Sequence, residues 1–228
     1  MGATSGLAGG WVMVPLLGVS LVATTLIIER LWFWSRLLQR QRPQVRSFLT
    51  RYGQHPDAAL AQLQRQGDLP AARIFLAALT LPEATPEEFR LALESAAQAE
   101  LPLLKRFSTV LETIVGIAPL LGLLGTILGL IRALGAFQPG GGGDSAVVVT
   151  GGIGDALLST AAGLAIAITT LVFANLFQGL YRRQRAFIQE AGGQLELLYR
   201  RHHRQGFPRP QASLADPRPT TPPRPSSP

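Results

Sequence analysis

Three long apolar stretches constrain this chain more than any other feature. The first runs from about Leu7 to Ile28, the second from about Thr113 to Phe137 and the third from about Ser145 to Phe177. About 20 apolar residues suffice for a helix to cross a hydrocarbon core of roughly 30 Å. The second stretch carries one charge, Arg132, near its far end, and the third carries one, Asp155. The composition agrees. Charged residues are 15% of 228, and there are 24 Gly. Few charges and many small residues suit helices packed in lipid. The expected fold is an all-α membrane protein with three transmembrane helices and long cytoplasmic extensions.

Other classes are excluded early. With no cysteine there is no disulfide framework and no thiolate metal site. Three His, two of them adjacent at His202 and His203, do not suggest a metal centre. No hydrolase constellation or phosphate-binding Gly loop is present, so no cofactor and no catalytic residue is expected. The N-terminal stretch lacks the basic start and short core of a secretory signal. It ends at Leu31, Trp32, Phe33 and Trp34, an interfacial aromatic belt, and reads as a retained span.

The chain divides at these landmarks. Residues 1–35 form the first span, 36–110 a cytoplasmic helical domain, and 111–180 the paired second and third spans with a Gly-rich loop at 138–144. Residues 181–205 form a basic amphipathic helix, and 206–228 a Pro-rich tail that is expected to be disordered. Pro43, Pro56 and Pro70 are expected to open short helices. Thr85-Pro86-Glu87-Glu88 spells a capping box. Asp144 is placed to cap the third span.

The net charge is +7, and Arg supplies every cation except Lys105. Arg30, Arg36, Arg40, Arg42, Arg46 and Arg51 follow the first span, Lys105 and Arg106 precede the second, and Arg182, Arg183 and Arg185 follow the third. With three spans all these lie on one side. The positive-inside rule then places the N-terminus outside and the middle domain and C-terminus in the cytoplasm, an outside that the family resemblance given below makes the periplasm. The same clustering argues against nucleic-acid binding, because the cations lack the aromatic interleaving of a single-strand binder.

Asp155 lies about 15 Å along the third span, near the bilayer centre. A charge there costs about 3 kcal/mol on insertion scales. It is tolerated facing a bundle interior or water, or when protonated. Counting back from the loop sets Thr126 at similar depth, and Ser159 lies one turn from Asp155. Thr160 lies partly round the helix. Hydroxyls here can hold a water chain, so Asp155, Thr126, Thr160 and Ser159 form a candidate proton path. A structural Asp paired with a neighbour is the other reading. Small residues line both helices: Gly122, Gly125 and Gly129 in the second, Ala156 and Gly163 in the third, with Pro119 as a bend. Three spans enclose little interior, so a polar path implies self-association in a closed ring.

The segments IAPLLGLLGTILGLI (117–131) and GGIGDALLSTAAGLAIAI (151–168), with Asn175 beyond, resemble the signatures of the MotA/TolQ/ExbB proton-channel family. The similarity is greatest to its ExbB/TolQ branch. Glu29-Arg30 before the aromatics resembles the end of that family's first span. The resemblance implies a pentameric ring in the bacterial inner membrane around a single-span ExbD/TolR-type partner. Proton flow would drive motion that a TonB/TolA-type protein carries to the outer membrane. It implies proton-path roles for Asp155, Thr126 and Thr160. Asp155 stands where the branch commonly has Glu, and Thr169 where it usually has Pro. TolQ-like envelope maintenance, a gliding motor subunit and a non-conducting scaffold are the alternatives. A four-span flagellar stator fits three spans poorly.

Overall fold

In the computed structural model, which describes residues 13–65, 67–135 and 142–205, every regular element is a helix. They are α1 (Met13–Gln54), α2 (Pro56–Gln64), α3 (Pro70–Leu79), α4 (Pro86–Leu104), α5 (Ser108–Gly135) and α6 (Gly142–Arg204). Three helical stretches are long and apolar enough to cross a membrane. The loop residues 138–141 and the tail from Gly206 lie outside the described residues, as does the start of the first span. Asp144 falls inside α6 and not before its first residue.

Span ends are not helix ends. α1 has 42 residues and α6 has 63. At 1.5 Å per residue they extend about 63 and 95 Å, far beyond a bilayer core. No Gly-Pro break follows the aromatic belt. Instead Trp34, Leu37, Gln41, Val45, Phe48 and Tyr52 continue a buried stripe at helical spacing. The basic segment from residue 181 is likewise continuous with the third span. Pro43 opens no helix; it sits within α1 with its ring exposed. Its missing N–H frees the carbonyl of Gln39, which is also on the exposed side, where water can satisfy it. Pro56, Pro70 and Pro86 do open α2, α3 and α4, at the position where an N–H has no helical partner.

Outside the spans, α2–α4 pack on the extended ends of α1 and α6. Phe48, Tyr52, Phe75, Phe89, Ile188 and Leu195 are fully buried there. The Phe89 and Tyr199 rings stack at 4.0 Å, and the Tyr199 hydroxyl donates to the Ala84 carbonyl at 2.7 Å. The latter contact ties the start of α4 to α6 across 115 positions of sequence. The capping box forms at the same place. The Thr85 N–H and hydroxyl donate to Glu88 Oε2 at 2.7 and 2.9 Å, and the Glu88 N–H donates to Thr85 Oγ1 at 3.3 Å.

α5 and α6 meet almost without side chains. A Cβ on Gly163 would lie 2.6 Å from the Ala118 carbonyl oxygen, and one on Gly122 2.9 Å from that of Ser159. Backbone atoms cannot step aside as a flexible side chain can. Gly163→Ala should therefore destabilise the helix pair by about 1–3 kcal/mol. Gly154→Ala, in the same helix with nothing within 4 Å of a new Cβ, should be neutral or slightly stabilising. Unfolding of the two variants in matched lipid nanodiscs tests the contrast.

A pH dependence follows from the cap. Hydrogen bonds from the Thr85 N–H and hydroxyl hold the Glu88 carboxyl below its ordinary range. A group depressed on folding contributes stability that is present above its unfolded value, about 4.3, and is lost as pH falls through the lower folded value. Glu88→Gln should flatten the stability curve below about pH 4.3, measured as hydrogen-exchange protection of the first turn of α4.

Candidate functional site

The candidate path sits where α5 and α6 cross closest. One carbonyl organises it. Gly122 O is approached by three hydroxyls: Thr160 Oγ1 at 3.0 Å, Ser159 Oγ at 3.2 Å and Thr126 Oγ1 at 3.3 Å. The Thr126 and Thr160 hydroxyls lie 2.9 Å apart, and either can be the donor. Thr126 has Leu123 O at 2.8 Å as an alternative acceptor, and Ser159 has Ala156 O at 2.8 Å. Each hydroxyl carries one hydrogen and two lone pairs. Every one of them therefore has at least two acceptors and can reorient without breaking the cluster. The missing side chain at Gly122 lets the α6 hydroxyls reach its carbonyl.

The glycines and alanines continue the seam on both sides. Gly125 and Ala156 are buried, and a Cβ on Gly129 would lie 2.7 Å from that of Ala156. Pro119 lies within α5, half-buried, one turn below Gly122. Its ring removes the N–H that would bond to the Val115 carbonyl, yet the helix runs on through it.

Asp155 is placed differently. It is exposed on the single chain, and among the described residues no hydrogen bond joins it to Thr126, Ser159 or Thr160. Helical geometry explains this. The stripe of α6 turned to α5 runs through Ala156, Ser159, Gly163 and Ala167. Asp155 is about 100° from Ala156 around the axis, at the edge of that stripe. Thr160 is about 140° from Asp155, so one α6 presents its hydroxyl to α5 and its carboxylate elsewhere. The structure thus brings Thr126, Ser159 and Thr160 together and leaves Asp155 exposed at the edge of the seam, about 40° from Ser159 and 140° from Thr160 around α6. In a bilayer a carboxylate so placed needs water or another polypeptide against it.

Two further features were not anticipated from sequence. Glu112 Oε1 accepts a hydrogen bond from Gln178 Nε2 at 2.9 Å, joining α5 to α6 beyond the hydroxyl cluster. Nothing in the spacing of two residues 66 apart signals that pairing. Arg30 is only 4% exposed. Its guanidinium lies 5.2 Å from the centroids of Phe33 and Phe107, 3.3 Å from Glu29 Oε2, and donates to the Leu104 carbonyl at 3.5 Å. Phe107 holds a left-handed backbone, φ 67°, in the turn between α4 and α5. Arg30 therefore fastens α1 to that turn as well as adding positive charge at the membrane border. Among the described residues no cluster of three His, Asp or Glu could hold a metal ion.

Comparison with known proteins gives the family. Residues 66–190 match the model of the MotA/TolQ/ExbB proton channel family. The chain is 58% identical to the biopolymer transport protein ExbB-like 3 of Synechocystis sp., over 87% of this chain and 95% of that protein. It is 42% identical to ExbB-like 1 of the same organism, over 85% of this chain and 77% of the relative. The Tol-Pal system protein TolQ of Haemophilus influenzae is 28% identical over 86% of this chain and 89% of its own length. Three apolar helices together with these relatives make the chain a multi-pass inner-membrane protein. The chain belongs to the MotA/TolQ/ExbB proton channel family, in its ExbB/TolQ branch.

Proposed function

We propose that this protein is the channel-forming subunit of a proton-driven motor. It would work with a single-span ExbD/TolR-type partner to energise TonB-dependent transport at the outer membrane. The observation that carries this reading is Asp155: an acid in the third span, exposed on the single chain, one helical turn from a cluster of reorientable hydroxyls. An isolated scaffold gains nothing from a carboxylate turned away from its own packing seam. The TonB-linked role is preferred because two relatives that cover most of the chain carry ExbB-like names.

In the mechanism, several copies surround a lumen, five in the family's arrangement, with the N-terminus periplasmic. The Asp155 of each copy faces that lumen or the neighbouring copy. Loading Asp155 with a proton from the outside neutralises it and lets it sit against an apolar surface. Releasing the proton restores the charge and favours a polar partner. The passage of one proton across about 150 mV releases roughly 3.5 kcal/mol. That matches the cost of placing a charge at the bilayer centre, so each transfer suffices to switch one helix contact. Thr126, Thr160 and Ser159 orient water beside the carboxylate and rearrange around the Gly122 carbonyl. The packed backbone of α5 and α6 keeps them a rigid pair, so the switch moves the partner and not the seam.

Asp155→Asn removes the titratable group at nearly constant size. It should leave assembly intact and abolish partner-dependent proton flux in vesicles. Asp155→Glu should retain much of the flux. Thr126→Val and Thr160→Val should lower it less than Asp155→Asn, because a hydroxyl orients water but carries no charge change. Wild-type flux in Asp155→Asn would make this residue structural and move the path to the partner.

A further inference from the structure

α6 contains two consecutive glycines, Gly192 and Gly193, far outside the bilayer. Each costs a helix interior about 1 kcal/mol relative to Ala. Packing within the chain does not require them, since a Cβ on either meets nothing within 4 Å. They form one wall of an open groove of about 290 Å³ between α3, α4 and α6. Its apolar lining is Ile74, Leu93, Ala97 and Ile188. Along the outer lip, Glu190, Gly193 and Leu197 share one helical face. Glu190 is exposed, and Leu197 is 69% exposed. Glu94 and Glu196 lie at the rim but are paired within the chain, with Arg90 and Arg200, which leaves Glu190 as the acid on the outer lip.

The complementary surface is on α1. From Arg36 to Gln54 this helix has five Arg and no acidic residue. α1 and α6 run parallel here: Arg42 lies over Phe187, and Tyr52 beside His202. Those pairs set Arg46 level with residues 191–196 of α6, the depth of the glycine pair. In a ring whose axis is normal to the membrane, neighbours touch at equal depth. Arg46 is exposed, about 24 Å beyond Arg30 along the helix. Headgroups extend only about 5–8 Å past the hydrocarbon core. Lipid phosphate therefore does not reach it.

Resting on the ring reading above, we propose that the Gly192–Gly193 groove is the docking site for a second copy of this chain. The α1 ridge around Arg46 lies against the glycines, with the guanidinium at Glu190 and the side chains of Pro43 and Thr50 over Leu197. The contact is head-to-tail, so repetition closes a ring below the membrane and holds the copies in fixed rotation around the lumen.

The test uses the full chain in lipid nanodiscs, where the absence of native cysteine makes cross-linking clean. Wild-type assembly is measured first by native mass spectrometry. The double variant Arg46→Cys, Gly193→Cys should oxidise to a ladder of covalent oligomers ending in a closed species, while each single variant stays monomeric on non-reducing gels. Arg46→Glu should reduce the assembled fraction at least fivefold, and adding Glu190→Arg should restore it. A wild-type monomer would overturn the ring reading and this docking site with it. An assembled wild type whose double variant gives no ladder would overturn the docking site alone. So would a dimer from Gly193→Cys by itself, which signals a two-fold contact, or an Arg46→Glu defect that Glu190→Arg does not rescue.

Discussion

The close approach of α5 and α6 is the constraint on which the rest depends. At Gly122 and Gly163 the two backbones touch, and a single added methyl group would overlap a carbonyl. Lipid tails are as apolar as leucine, so burying hydrocarbon does not hold membrane helices together; dispersion across a tight seam and interhelical hydrogen bonds do. Both are present here. The glycines permit contact, and contact places the hydroxyls of Ser159, Thr160 and Thr126 around one carbonyl. A larger residue at Gly122 would separate the helices and disperse the hydroxyls together, so packing and chemistry share their atoms.

The second organising feature is continuity. Because α1 and α6 run unbroken from the membrane into the helical bundle, a rotation of a span is carried rigidly to the far end. The junction between α4 and α5 is the exception. There Lys105, Arg106 and Phe107 make a tight turn, with Phe107 in a left-handed conformation that bulky residues avoid. The Arg30 guanidinium between the Phe33 and Phe107 rings holds it. Desolvating an arginine is costly unless its surroundings answer it. Glu29, two aromatic faces and the Leu104 carbonyl do so in part; Nε is buried without a hydrogen-bond partner.

Much of this was legible beforehand. The three spans, the capping box at Thr85 and the proline starts of α2–α4 follow from apolar run length and from which backbone groups lack partners. Pro43 was misread because a proline signal is local. Its neighbours on α1 were held helical by burial of Val45, Phe48 and Tyr52 against other elements, which no local rule includes. The basic segment 181–205 runs on from the third span as one helix because Ile188, Ala191 and Leu195 are buried against the bundle.

The sequence by itself determined what must be solvated by lipid, where charge is excluded, and that one carboxylate, Asp155, stands inside that region. Those are one-dimensional properties, set by composition along a run and by a fixed rise per residue. Tertiary structure alone decided which hydroxyls meet and where the carboxylate points. Helical phase limits the choice: Asp155 and Thr160 cannot both face α5 when they are about 140° apart on one helix. The face that meets α5 bears Ala156, Ser159 and Gly163, whose small side chains let the two backbones touch, and this is the side on which Thr160 reaches α5. The acid was left on the outside of the pair, where its partner must come from another chain or from water.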